Sequence, residues 1–319
     1  MLYPFLLTPA FRCGEATPWG GTLLHDLLGK ECLDLHTGES LEMSVIPGLE
    51  SRDPQGNKLS DLLARYGAEL AGTACTGAFP LLLKLIDARK TLSVQVHPDD
   101  AYAGLWENKQ GKTEAWVILQ AEPDARLVYG VNAGVTREQL AAAAADGAAL
   151  EGFLRFIPVQ AGDVLYIPSG MVHAIGGGIL LYEIQQSSDV TYRFYDWNRL
   201  DAQGRKRTLH IRQALDVTRL DLQLDPAVPK LLPDASCERS LLLDTPYFRL
   251  LRLRCCRNTP FQGETTRFSV LTALSEGTLE TAGKDARITL RPGQSVFIPA
   301  DCAPFGLNCE HCLLASPGV

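Results

Sequence analysis

The stretch "AGDVLYIPSGMVHAIGGG", Ala161 to Gly178, limits what this chain can fold into more than any other part of it. Gly162 and Gly170 permit tight turns on either side of a short apolar run, Pro168 ends that run as a strand, and His173 follows the second turn. The design returns later: "LRPGQSVFIPADCAPFGL" repeats "VQAGDVLYIPSGMVHAIGG" as glycine, polar residue, apolar strand, proline and turn. Aligning Pro168 with Pro299 sets Pro304 where His173 stands. Two copies of one strand-and-turn unit, with histidine only in the first, predict a duplicated β-barrel whose second copy cannot use that position as a ligand.

Periodicity supports a strand-rich scaffold. "EAWVILQA", "RLVYGV", "DVLYIP", "GILLYEIQQ" and "DVTYRFYDW" are strand-length runs rich in β-branched and aromatic residues. "PLLLKLIDARKTLSVQVHP" holds two more, separated by a charged turn. Two helical insertions are expected, about 55–72 with Ser60 as its N-cap and about 135–155 with Thr136 as its N-cap, and a further helix-like run follows "DWNRLDAQGRKR". The proline-containing 223–235 reads as a linker between a unit at 1–222 and a second at 236–319.

The first unit resembles the cupin family on the frame Gly162, Pro168, Gly170 and His173, so the expected fold class is mainly β: two cupin-like antiparallel jelly-roll barrels with helical insertions. Members of that family hold one divalent metal inside the barrel. Other ligands then belong on neighbouring strands. Gln95 and His97 in "LSVQVHPDD" lie two apart, which on a strand puts both side chains on one face and Val94 and Val96 on the other. Glu114 opens the next strong strand as a carboxylate at the edge of a buried run. Gln95, His97, Glu114 and His173 offer two imidazoles, a carboxylate and an amide oxygen, a set that suits zinc and leaves manganese, cobalt or iron open. Asp99 and Asp100 are read as solvated carboxylates at a strand end. Lys84, in the apolar run "LLLKLI", fits either a site wall or a structural ion pair.

"FPLLLKLIDARKTLSVQVHPDD", "GKTEAW", "AGDVLYIPSGMVHAIGGGILLYEIQQSSDVTYRFYDWNR" and "TPWGG" occur in an order that resembles the type I mannose-6-phosphate isomerases in their short bacterial form. The resemblance covers most of residues 1–215. It implies an aldose–ketose isomerase that interconverts mannose 6-phosphate and fructose 6-phosphate through a cis-enediol, with one zinc per chain on Gln95, His97, Glu114 and His173. It places the catalytic arginine on Arg193, active-site acids on Glu183 and Asp189, and a lysine beside the metal glutamate on Lys112. Ser93 and Arg199 fall near the phosphate, and Trp19 falls in an N-terminal tryptophan–glycine motif. Longer family members carry a histidine before the lysine where this chain has Gly111, so that acid–base role does not transfer. A base working at neutral pH needs a pKa near neutrality; Lys112, Glu183 and a zinc-bound water are the candidates.

Charge and composition set the remaining limits. A formal net charge of -7 with scattered acids gives no basic footprint for nucleic acid. No run approaches a membrane span, the start lacks a charged n-region and a long apolar core, and nine cysteines at irregular spacing argue against a disulfide framework, so a cytoplasmic location is expected. The thiols of "CEHC", Cys309 to Cys312, read as buried free cysteines, and His25, His36, His210 and His311 as structural or exposed. The expected partner is a hexose 6-phosphate, with the chain as a monomer or homodimer. A cupin oxidoreductase and a non-catalytic sugar-phosphate sensor are the alternative readings. The first is disfavoured because Gln95 stands where dioxygenases carry histidine, the second because the ligands and Arg193 are all present.

Overall fold

The computed structural model describes residues 2–145, 147–201, 203–234, 236–281 and 287–318. Its strands form sheets of six, five and nine strands. The six-stranded sheet runs in the order Ala10–Cys13, Thr37–Met43, Leu81–Ala88, Ile179–Gln186, Glu114–Ala121 and Val164–Ile167. The five-stranded sheet runs Tyr192–Tyr195, Val94–Val96, His173–Ala174, Arg126–Val131 and Leu154–Pro158. Both are antiparallel throughout, so residues opposite one another share a face.

Alternation along each strand then decides the layering. On the six-stranded sheet, Leu81, Leu83, Leu85, Val117, Leu180 and Tyr182 face the nine-stranded sheet and share a core with its Leu250, Val270 and Phe297. The intervening residues face the opposite way, where Trp116, Ile118 and Leu181 pack with Leu127, Tyr129 and Ile175 of the five-stranded sheet and its turns. The outer face of the five-stranded sheet buries Val94, Val96 and Val128 against Leu140 and Ala143 of the helix Arg137–Ala145. Each fully buried aliphatic side chain in these layers stabilises the fold by about 1.5–3 kcal/mol. The six-stranded sheet is therefore the middle layer of a stack.

The beginning of the chain is woven into the far end. Strand Phe5–Leu6 pairs with Ser295–Ile298, opposing Phe5 to Phe297. Below it, buried Lys30 Nζ donates to Glu42 Oε1 and to the Gly293 carbonyl, both at 2.6 Å, while Ser295 Oγ donates to Glu42 Oε2 at 3.0 Å. These charges are satisfied by one another and so can stay dry.

The expected strands and helical regions are present, with local corrections. Thr136 caps its helix, its Oγ1 accepting from Gln139 N at 3.2 Å. Ser60 caps nothing: the helix Leu59–Tyr66 starts one residue earlier, because Leu59 is fully buried and its N–H donates to the Ser51 carbonyl at 2.8 Å. Asp99 and Asp100 are not merely solvated. Asp99 caps the helix Asp100–Trp106 by accepting from Tyr102 N at 2.8 Å, and Asp100 accepts from Gly111 N at 2.8 Å and Gln186 Nε2 at 2.9 Å. The stretch 223–235 includes the strand Lys230–Leu232, paired with Glu238–Asp244. Among the described residues no helix is long and apolar enough to cross a membrane.

The glycine run after His173 exists because backbones touch there. A Cβ on Gly176 would lie 1.9 Å from the Arg126 carbonyl oxygen, inside any allowed contact. Gly176→Ala is therefore expected to cost about 1–3 kcal/mol or more as the strand shifts, read as a lowered urea midpoint; an unchanged midpoint would show that the close approach is not a constraint.

Candidate functional site

The inward faces of the six- and five-stranded sheets meet over a group of polar side chains. Gln95 lies opposite both His173 and Arg193 in the five-stranded sheet, so these three side chains share a face, and His97 joins them two residues along. From the other sheet come Glu114 and, two residues on, Trp116, with Glu183 opposite Trp116 and Lys84 opposite Glu183. Sheet register alone brings these groups together.

His97, Glu114 and His173 are buried with their ligand atoms all within 4.8 Å of one another, and among the described residues they are the only such acid, histidine and cysteine group. His97 Nδ1 lies 2.9 Å from the Val190 carbonyl and His173 Nδ1 lies 2.9 Å from the Met171 carbonyl. A carbonyl only accepts, so each Nδ1 carries the proton and each Nε2 presents a lone pair. His173 Nε2 stands 3.3 Å from Glu114 Oε1, and His97 Nε2 stands 3.5 Å from Glu114 Oε2. His173 Nε2 has no hydrogen-bond partner, and neither does Glu114 Oε1, which faces it; Glu114 Oε2 meets the Lys112 ammonium at 2.6 Å. Burial holds the His97 imidazole well below its usual range and takes His173 down to about 3, so both rings are neutral at pH 7. Burial also pushes Glu114 up to about 7, against the pull of the Lys112 ammonium. Lys112 serves the His97 side of this group, but His173 Nε2 and Glu114 Oε1 still face each other as two acceptors in a dry interior, which is costly without a cation between them. The donor set thus fits a divalent metal.

Lys112 Nζ reaches this group, 2.9 Å from His97 Nε2 and 2.6 Å from Glu114 Oε2. Glu183 accepts from Trp116 Nε1 at 2.9 Å and pairs with Lys84 Nζ at 3.0 Å. Burial alone would raise its pKa, but Lys84, Lys112 and these bonds pull it down to about 2. Lys84 also lies 3.8 Å from Glu39, so it is at once a site wall and the hub of an ion-pair chain.

A cleft enclosing about 740 Å³, including its mouth, opens beside the three ligands. Its walls carry five cationic side chains, Arg12, Lys84, Lys112, Arg193 and Arg207, and three acids, Glu39, Glu183 and Asp189. In a chain of net charge -7, a cleft with a cationic surplus selects an anion. Arg193 Nε donates to Ser93 Oγ at 3.2 Å and its Nη1 to the Thr208 carbonyl at 3.0 Å. Burial, then the neighbouring Arg207, lowers the Arg193 guanidinium from its ordinary value, as expected for crowded positive charge.

Of the residues expected at the site, Trp19, Ser93, Gln95, Lys112, Glu183, Asp189 and Arg193 line the cleft. Trp19 is a packed residue whose ring forbids a Cβ on Gly38, which would come within 2.6 Å of it. Asp189 binds Lys109 Nζ at 2.6 Å at the rim. Arg199 is not in the cleft wall. It donates to the Thr91 carbonyl at 2.6 Å and to Asp196, a buried acid that also lies 3.9 Å from Arg207. Arg12 and Arg207 were missed because each reaches the cleft from a sequence-distant segment without any motif of its own. A charge within the "GRKR" turn was the one available signal for Arg207. The absent histidine at Gly111 also has a physical cause: a Cβ there would lie 2.5 Å from the backbone of Asp99 and Asp100, where the helix starts.

Residues 47–124 match the family model for the phosphomannose isomerase type I catalytic domain. The chain is 38% identical over 285 residues to a mannose-6-phosphate isomerase of Streptococcus mutans, covering 88% of each. It superposes on the crystal structure of the mannose 6-phosphate isomerase from Bacillus subtilis with a TM-score of 0.88 and 30% identity over 99% of each chain. A mannose 6-phosphate isomerase solved with zinc bound shares the fold, with a TM-score of 0.79 and 15% identity over 100% of each chain.

The Lys84–Glu183 pair is testable apart from any reaction. Ionised Glu183 contributes stability above its ordinary value of 4.5, and that contribution is lost as pH falls toward about 2. Lys84→Met strands a buried carboxylate, so it is expected to cost about 3–5 kcal/mol and to move the acid limb of the stability–pH curve to higher pH. Urea denaturation across pH measures both, and an unmoved acid limb would show that Lys84 does not hold Glu183.

Proposed function

Because the chain belongs to the type I phosphomannose isomerase family, we propose that it interconverts mannose 6-phosphate and fructose 6-phosphate with a zinc ion held by Gln95, His97, Glu114 and His173. The observation that carries this reading is the pair of neutral imidazole Nε2 atoms facing a carboxylate at 3.3 and 3.5 Å in a buried site. Bound there, zinc supplies Lewis acidity toward the substrate oxygens.

The remaining work falls to the chain's own groups. Arg193, fixed by Ser93 and Thr208, offers a permanent positive charge to the negative charge that develops as the proton moves between C1 and C2. Lys112, the cation nearest the ligand atoms, is the group we assign to proton transfer. Glu183 is assigned an electrostatic role, since a carboxylate held near 2 is a weak base. For the phosphate, Arg207 and Ser93 replace Arg199 as the anchor: Arg207 lines the cleft, whereas Arg199 is spent on Thr91 and Asp196. Asp189 bounds the substrate at the rim and Trp19 supports its wall.

The chemistry is assigned to residues 1–222, with 223–235 as connection and 236–319 as a second unit without ligands. Every cleft residue named above precedes position 222, which supports that division. All nine cysteines are free, which supports a reducing, cytoplasmic setting. A monomer or homodimer is the assembly we infer from a cleft built within one chain.

Purified protein is expected to hold about one zinc per chain by mass spectrometry, to lose interconversion on chelation and to regain it with zinc. A full complement of activity after complete removal of metal would refute the metal role. Arg193→Ala is expected to lower kcat by about 100-fold or more with an unchanged unfolding midpoint. The two arginines separate cleanly. Arg207→Ala should raise KM for mannose 6-phosphate about tenfold while stability holds, whereas Arg199→Ala should mainly reduce stability. The reverse pattern in steady-state kinetics and melting would return the phosphate to Arg199.

A further inference from the structure

The back of the six-stranded sheet holds a second cavity. On the nine-stranded sheet, the row facing that back runs Phe248, Leu250, Arg252, Arg254, with Pro317, Ala315, Leu313 and His311 opposite. Phe248, Leu250, Leu313 and Ala315 are core. The same row then turns cationic, with Arg252 half-buried and Arg254 exposed at the mouth, and ends at Cys255, which takes a φ of 54°. Arg252 and His311 are thus polar groups set partly inside the margin of an apolar inter-sheet face.

These groups line a cavity of about 920 Å³, including its mouth, floored by Val117, Leu119 and Leu180. Neighbouring Arg249 and Arg257 have carboxylate partners, Asp244 at 3.9 Å and Glu310 at 3.0 Å. Arg252 and Arg254 form no ion pair among the described residues. The acids nearby are Glu238, opposite Arg254 in register, and Glu310, engaged by Arg257 and Cys255. Arg252 bonds only the Gly162 carbonyl, at 3.0 Å; its Nε and His311 Nε2 are buried without partners. Two guanidiniums without an ion pair, beside an apolar lining, match a ligand that is anionic at one end and apolar at the other.

We propose that this cavity binds a small organic anion, a phosphate monoester or carboxylate held by Arg252 and Arg254 with its hydrocarbon part against Leu28, Leu119 and Leu274 above buried Val117 and Leu180, and that the occupant is felt in the cleft. The route is one sheet thick. Val117 and Leu119 are the reverse side of the strand that carries Glu114 and Trp116, and Leu180 is the reverse side of the strand that carries Glu183.

Calorimetry on the metal-loaded chain tests the site with hexyl phosphate, hexanoate and inorganic phosphate. At least one of the two alkyl anions is expected to bind a single site, more tightly than inorganic phosphate, and which one binds identifies the headgroup. Arg254→Ala should weaken that binding about tenfold. Leu274→Trp, which fills the cavity and keeps both arginines, should weaken it as much, with melting curves checking that both variants fold. Failure of both alkyl anions to bind, equal affinity in all three proteins, or displacement by mannose 6-phosphate would overturn the site. The coupling rests on the isomerase reading: saturating ligand should change kcat or KM for mannose 6-phosphate by about twofold or more, and unchanged kinetics would overturn it. Because calorimetry needs no turnover, failure of the isomerase reading and failure of the cavity are distinguishable.

Discussion

A carboxylate and two imidazole lone pairs, facing one another inside a protein, repel unless a cation joins them. Much of the two facing sheets serves to hold that arrangement. Carbonyls at Val190 and Met171 fix the tautomer of each ring, the antiparallel register of two sheets sets the spacing, and burial keeps the rings neutral. The metal-ready state is thus written into backbone geometry rather than into side chains free to rearrange. Around it the chain pairs opposed charges, Lys84 against Glu183 and Asp196 against Arg199, and crowds two like ones, Arg193 beside Arg207.

Much of this was legible in the sequence, because strands convert spacing into direction. Gln95 and His97, two apart, could only share a face, and Val94 and Val96 duly lie in the core on the other. The glycine and proline frame around His173 announced a strand that stops, turns and re-enters. What spacing cannot supply is the partner across a sheet or a loop. Arg199 carried the expected charge, but Asp196, three residues earlier, claims it. Ser60 had the right chemistry for a cap, yet the Ser51 carbonyl, from a separate segment, satisfied the helix first. Arg12 and Arg207 sit in segments without motif character, and only the closed fold brings them to the cleft. Gly111 is a case where the sequence showed a departure but not its cause, which is the backbone of a helix start pressed against it.

The repeat of the strand-and-turn unit takes on a physical meaning in the stack of sheets. In the first copy the turn delivers His173 to the site. In the second, the strand Ser295–Ile298 supplies Val296 and Ile298 to the core of its own unit and Phe297 to the face shared with the middle sheet, while Phe5–Leu6 closes its edge. One copy supplies a cleft-side histidine and the other makes a wall.

The buried middle sheet has a bearing on how this chain can be cut. All the cleft groups lie in the first two-thirds of the sequence, which invites a shortened chain. Without the nine-stranded sheet, however, Leu83, Val117, Leu180 and Tyr182 would form a greasy open surface, and Glu42 would lose Ser295 while Lys30 lost its carbonyl at Gly293. Such a fragment would be sticky before it was inactive. The nine-stranded sheet is the cover of the middle sheet's apolar face, so a cut that removes it opens the core rather than trimming an appendage.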